Sequence, residues 1–95
     1  MVELDKDGFL QDPKKWTKEI AIYLAEQDNI TLTEKHWEII LFIREYYDDF
    51  DSIPPVQKIC ARTGLRVIDL FDLFPRGPIN GACRIAGLPS KARFD

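Results

Sequence analysis

The chain has 95 residues, of which 45% are apolar, 12% aromatic and 31% charged, and its formal net charge is −3. That composition is one of folded, soluble proteins, and a chain this short buries a modest core, which excludes a deep enzyme cleft walled by several subdomains. The acidic balance opposes nucleic-acid binding. An apolar run of only Ile39 to Ile43, far below the roughly 20 residues a bilayer needs, excludes a membrane span, and an acidic start (Glu3, Asp5, Asp7) gives the cytoplasm as the expected compartment.

Before residue 12 a small β-hairpin is expected: Val2 and Leu4 alternate with Glu3 and Asp5, Asp7-Gly8 supplies a turn, and Phe9 and Leu10 return. Asp12 and Pro13 stand as N-cap and first residue of a helix over 13–27, with Trp16, Ile20, Tyr23, Leu24 and Gln27 on one face. Thr33 opens a second helix over 33–49, the central and most buried one, because Trp37, Ile40, Leu41, Ile43, Tyr47 and Phe50 leave few polar positions. Pro54 and Pro55 end it. Three shorter helices follow at 55–63, closed by Gly64, at 67–74, stopped by Pro75, and at 78–86, capped by Gly87. The expected fold class is mainly α (α+β), with five helices and a minor hairpin.

The stretch VQKICARTGLRVIDLFDLF has helix-turn-helix spacing, with small Cys60 four residues before Gly64 and Ile59, Leu65, Leu70 and Leu73 inward. Asp69 and Asp72 on the would-be recognition helix repel phosphate and Arg66 is its one strong contact, so a plain helical corner is preferred to DNA binding. His36 lies near a helix start with no nucleophile or acid at local spacing, which favours a hydrogen bond within the first turn over catalysis. Trp16 and Trp37 read as core, and Cys60, between Ile59 and Ala61, as a small buried hydrophobe. One histidine and two cysteines without CxxC leave no metal-ligand set, and no cofactor is expected.

Cys83 stands apart in GACRIAGLPSKARFD, where residues 76–95 carry four cations (Arg76, Arg84, Lys91 and Arg93) against one Asp. Positive potential there favours a thiolate and suits an acidic protein partner or an anionic sulfur species. Spacing and charge leave a working thiol and a packing thiol equally open.

The blocks DKDGFLQDPKKW, LTEKHWEIILFIREYY, PPVQKI and above all LFPRGPINGACRIAGLP resemble those of the TusE/DsrC/DsvC family of sulfur-relay proteins, from about Leu4 to Pro89. The resemblance implies a single five-helix domain over 1–89, a C-terminal arm over 90–95, and sulfur carried as persulfide or trisulfide on cysteines of the arm region. Family arms typically finish Gly-Leu-Pro-Lys-Pro-x-Gly-Cys-Val, with the reactive cysteine penultimate and, in DsrC-like members, a second cysteine at the position matched by Cys83. Here the residue eleven after Cys83 is Phe94, and Asp95 stands for the valine. The chain therefore reads as a divergent member lacking the penultimate cysteine.

The leading expectation is a sulfur-relay protein with Cys83 as candidate persulfide carrier, Arg76, Arg84, Lys91 and Arg93 as partner or anion contacts, and a relay or sulfite-reductase-type protein as partner. Its enzymatic status is at most that of a sulfurtransferase-like carrier. A non-catalytic partner-binding or regulatory protein that has lost sulfur transfer is the alternative, and a DNA-binding regulator using residues 56–74 is a third.

Overall fold

The computed structural model describes residues 4–6, 8–89 and 93–94. Its core is organised by the helices α1 (Lys18–Gln27) and α2 (Glu34–Phe50), followed by the shorter α3 (Val56–Thr63) and α4 (Val67–Leu73) and a π-helix, Pro78–Cys83. Among the described residues no helix is long and apolar enough to cross a membrane.

As expected, α2 is the central element. Ile39, Ile40 and Ile43 are fully buried against Ala21, Leu24 and Ala25 of α1, Ile59 of α3, Leu70 of α4 and the segment after Pro78. Thr33 is its N-cap, and Asp51 ends it in the left-handed region at φ 55°. The two prolines that follow keep the chain extended as β1 (Ser52–Ile53). β1 pairs in parallel with β2 (Arg93–Phe94), a contact that brings the backbone of residues 93–94 back to the end of α2.

The expected helix over 13–27 is broken. Pro13–Lys15 form a 3₁₀ turn capped by Asp12, whose carboxylate accepts from Lys14 N–H at 3.0 Å. Trp16 is extended at ψ 139°, and the α-helix restarts at Thr17, whose Oγ1 accepts from Ile20 N–H. The break has a tertiary cause: the Trp16 indole is drawn inward to a carbonyl far along the chain. It also turns the helix, so Ala21, Leu24 and Ala25 face the core while Tyr23 is 48% exposed and Gln27 lies outside.

Among the described residues the expected hairpin before residue 12 shows a Leu4–Leu10 antiparallel bridge, with Asp5 N–H donating to Phe9 O at 2.8 Å; Val2, Glu3 and Asp7 lie outside the described residues. The last expected helix, 78–86, opens as a π-helix and returns to α geometry at Arg84. It closes with Leu88 N–H donating to Cys83 O around Gly87, at φ +81°.

Candidate functional site

Residues 81–88, Gly-Ala-Cys-Arg-Ile-Ala-Gly-Leu, are all buried. Such a run holds backbone groups and a charge that need partners, and residues distant in sequence supply them. The Trp16 indole N–H donates to the Ile85 carbonyl at 2.9 Å. Arg44 of α2 donates one Nη to the Ala86 carbonyl at 2.8 Å and the other to Pro13 O at 3.1 Å, and its guanidinium lies over the Trp16 ring at 4.3 Å. One stacked pair thus holds two successive carbonyls of the segment. Burial pulls the Arg44 guanidinium below its ordinary pKa, and Asp48 opposes the shift.

Asp28, just past the end of α1, holds the segment's charge. Its Oδ2 accepts from Arg84 at 2.6 Å and its Oδ1 from Arg76 at 3.2 Å, so each carboxylate oxygen serves one guanidinium. Arg84 also donates to Leu24 O at 3.4 Å. The side chains of Arg84 and Asp28 are 3% and 5% exposed, whereas that of Arg76 is 59% exposed.

Cys83 lies inside this frame at 1% exposure, among the core residues. The expected thiolate is not favoured in this arrangement. Burial pushes the Cys83 thiol up to about 12, because desolvation opposes the charged form. The neighbouring cation expected to offset this is bound to Asp28. Cys60, expected to be buried, is only half-buried.

Of the expected contact cations, Arg84 is structural here: its guanidinium is consumed by Asp28 inside the protein rather than offered at the surface. Arg76 is at the surface but shares Asp28. Lys91 lies outside the described residues, and Arg93 is placed by its backbone in β2. Of the charge cluster legible in the sequence, the two described guanidinium groups converge on a common carboxylate. Among the described residues no group of three His, Cys, Asp or Glu side chains converges as a metal site.

His36 makes its expected bond within the first turn, with Nδ1 accepting from Thr33 N–H at 3.0 Å. That leaves Nε2 as donor to the Leu73 carbonyl at 2.8 Å. The ring also packs edge-on against Phe74, so His36 ties the start of α2 to the end of α4.

The helix-turn-helix spacing produces a real corner, α3 and α4 joined through Gly64. Asp72 is exposed on α4, and Arg66 is already bound to Asp69 through Nε at 3.2 Å, which holds the Asp69 carboxyl below the usual range. Duplex binding is expected to be weak and unselective at physiological salt, because carboxylates approach phosphate and the one well-placed cation is occupied. Gel-shift titration against random and operon-derived duplexes checks it; a site-selective, sub-micromolar shift would refute the assignment.

Sequence reasoning missed Trp16 as a hydrogen-bond donor, Arg44 and Asp28. Two signals were present. Arg44 falls in the stripe Ile40, Ile43, Arg44, Tyr47, where a cation needs a buried partner. Asp28 follows the C-terminus of α1, where the helix dipole disfavours a carboxylate and a compensating cation is implied.

The family model described as DsrC like protein matches residues 1–93. A sulfurtransferase TusE of Photorhabdus laumondii is 38% identical over 99 residues, covering 97% of this chain and 89% of that protein. The oxidized gamma-subunit of the dissimilatory sulfite reductase (DsrC) from Archaeoglobus fulgidus superposes with a TM-score of 0.87 at 40% identity, over 96% of this chain and 90% of that one. A chain in the crystal structure of dissimilatory sulfite reductase I (DsrI) gives 0.90 at 35% identity, over 96% and 88%.

Proposed function

The chain belongs to the DsrC-like family, and from that premise we propose that it is a cytoplasmic sulfur-relay protein of the DsrC/TusE type that works through a protein partner. In this reading residues 1–89 form the domain and 90–95 its arm. The observation that carries the reading is the seating of the block 81–88: Trp16, Arg44 and Asp28 all reach across the fold to hold it. The block that carries the family resemblance is thus held from three directions with its cysteine covered.

Cys83 is the residue of that block able to hold sulfur. The step would be attack of the Cys83 thiolate on the outer sulfur of a donor persulfide. A new S–S bond forms on Cys83, the donor's S–S bond breaks, and the Cys83 proton ends on the departing donor thiolate. With Cys83 at 1% exposure and its pKa raised to about 12, the arrangement described is a resting state, and loading requires a partner to displace the segment. The same burial favours one second reading, a non-catalytic partner-binding protein in which Cys83 only packs.

Alkylation of the native protein is expected to modify Cys60 faster than Cys83 by about an order of magnitude or more, since burial both shields the Cys83 sulfur and suppresses its thiolate, and the gap should close in denaturant. Peptide mass analysis after timed iodoacetamide quenching reads this directly. Equal or faster labelling of Cys83 would mean that its burial does not hold in solution. The relay step is tested with a persulfidated sulfurtransferase as donor: a gain of one sulfur, ~32 Da, on the peptide holding Cys83 and its loss in Cys83→Ser support the carrier. Partner binding without any such gain hands the conclusion to the non-catalytic reading.

A further inference from the structure

The second helix of the corner, α4, shows solvent an apolar face that nothing in the relay step uses. Val67, Ile68 and Phe71 are 50%, 60% and 47% exposed, at positions i, i+1 and i+4 of one short helix. Its opposite side is accounted for, with Leu70 buried in the core and Leu73 O bound to His36. Three large apolar side chains next to one another on one helix form a contiguous exposed patch, and such a patch rimmed by polar residues marks an interaction site. The ionisable residues within the helix are both carboxylates, Asp69 and Asp72, and the N-cap cation Arg66 is bound to Asp69. The face is apolar at its centre, with the exposed carboxylate of Asp72 at its edge.

We infer that this face of α4 docks a protein partner whose contact surface is apolar with a basic rim. Charge complementarity selects that chemistry: a basic rim gains from the exposed Asp72, an acidic one is repelled, and a nucleic acid has the wrong sign. The position deepens the relay reading, on which the partner's being a protein rests. Phe71 lies against Gly77, where an added Cβ would be 3.2 Å from Phe71 Cε1, and Gly77 is the residue immediately before the π-helix that carries Cys83. A partner seated on Phe71 touches the base of the segment that has to move.

The test uses the full chain, ¹⁵N-labelled, and a stapled amphipathic helix with a leucine face flanked by lysines as probe. Its isomer flanked by glutamates and a random DNA duplex are the comparison ligands. Amide shifts are expected to saturate with the lysine probe and to centre on residues 66–72. Ile68→Asp, a change at an exposed position that leaves the fold intact, should weaken the lysine probe by about tenfold or more. Asp72→Lys should shift preference toward the glutamate probe. The inference is overturned by any of four results: no saturable shifts on α4, equal binding of both probes, a response of α4 to the duplex, or a self-associated dimer that Ile68→Asp dissolves. None of these readouts involves sulfur loading, so failure here is distinguishable from failure of the relay step.

Discussion

Gly87→Ala is expected to destabilise the protein by about 3 kcal/mol, made up of about 1 kcal/mol or more for a side chain in the left-handed region and the rest from overpacking. Gly87 has φ +81°, and a Cβ there would overlap Trp16 Cδ1 and stand 2.8 Å from Trp16 Cγ. The indole cannot retreat cheaply, because its N–H is bound to the Ile85 carbonyl and its face to Arg44. For a domain of this size the loss corresponds to a Tm lower by roughly 15 °C. Gly64→Ala is the internal comparison. Gly64 has φ +74° but no atom within 4 Å of the added Cβ, so it isolates the backbone component at about 1 kcal/mol. Thermal and urea unfolding of the two variants side by side decides the matter: equal losses would show that the seating of Trp16 on Gly87 carries no weight.

The second large effect is at Asp28. Asp28→Ala removes the carboxylate from a guanidinium that is 3% exposed, and breaking a buried pair from one side costs about 3–5 kcal/mol. Release of the exposed Arg76 adds ~0–1 kcal/mol at most. Replacing both members, Asp28→Ala with Arg84→Met, should recover a large part of the loss, since the charge that needed the carboxylate is gone. A double-mutant cycle from urea unfolding gives the coupling. If the double variant is as unstable as the sum of the single ones, the pair is not what holds the segment. Asp28→Ala should also speed Cys83 alkylation relative to Cys60, by loosening the frame around the thiol.

The existence of the helices was legible because each rests on local chemistry, although 13–15 form a 3₁₀ turn and 78–83 a π-helix. Thr33 and Asp12 cap where short oxygen-bearing side chains are expected to cap, Pro54 and Pro75 stop helices for want of a donor, and the apolar spacing from Ile39 to Tyr47 needs a covering layer on one side. The family was legible too, since LFPRGPINGACRIAGLP is a run of contiguous residues. Burial of individual polar and ionisable groups was not, because it is decided by partners far along the chain. Trp16 leaves its helix for a carbonyl 69 residues away. Arg84, a surface contact when read beside Cys83, is drawn inside by Asp28, 56 residues earlier.

The thiol shows the division most clearly. Sequence alone determined that Cys83 sits in the family block with Arg84 beside it, and local charge then pointed to a thiolate. Tertiary structure reversed the sign, because a cation bound to its own carboxylate projects little net field while desolvation acts on the sulfur in full, leaving Cys83 neutral and covered and Cys60 the more accessible of the two.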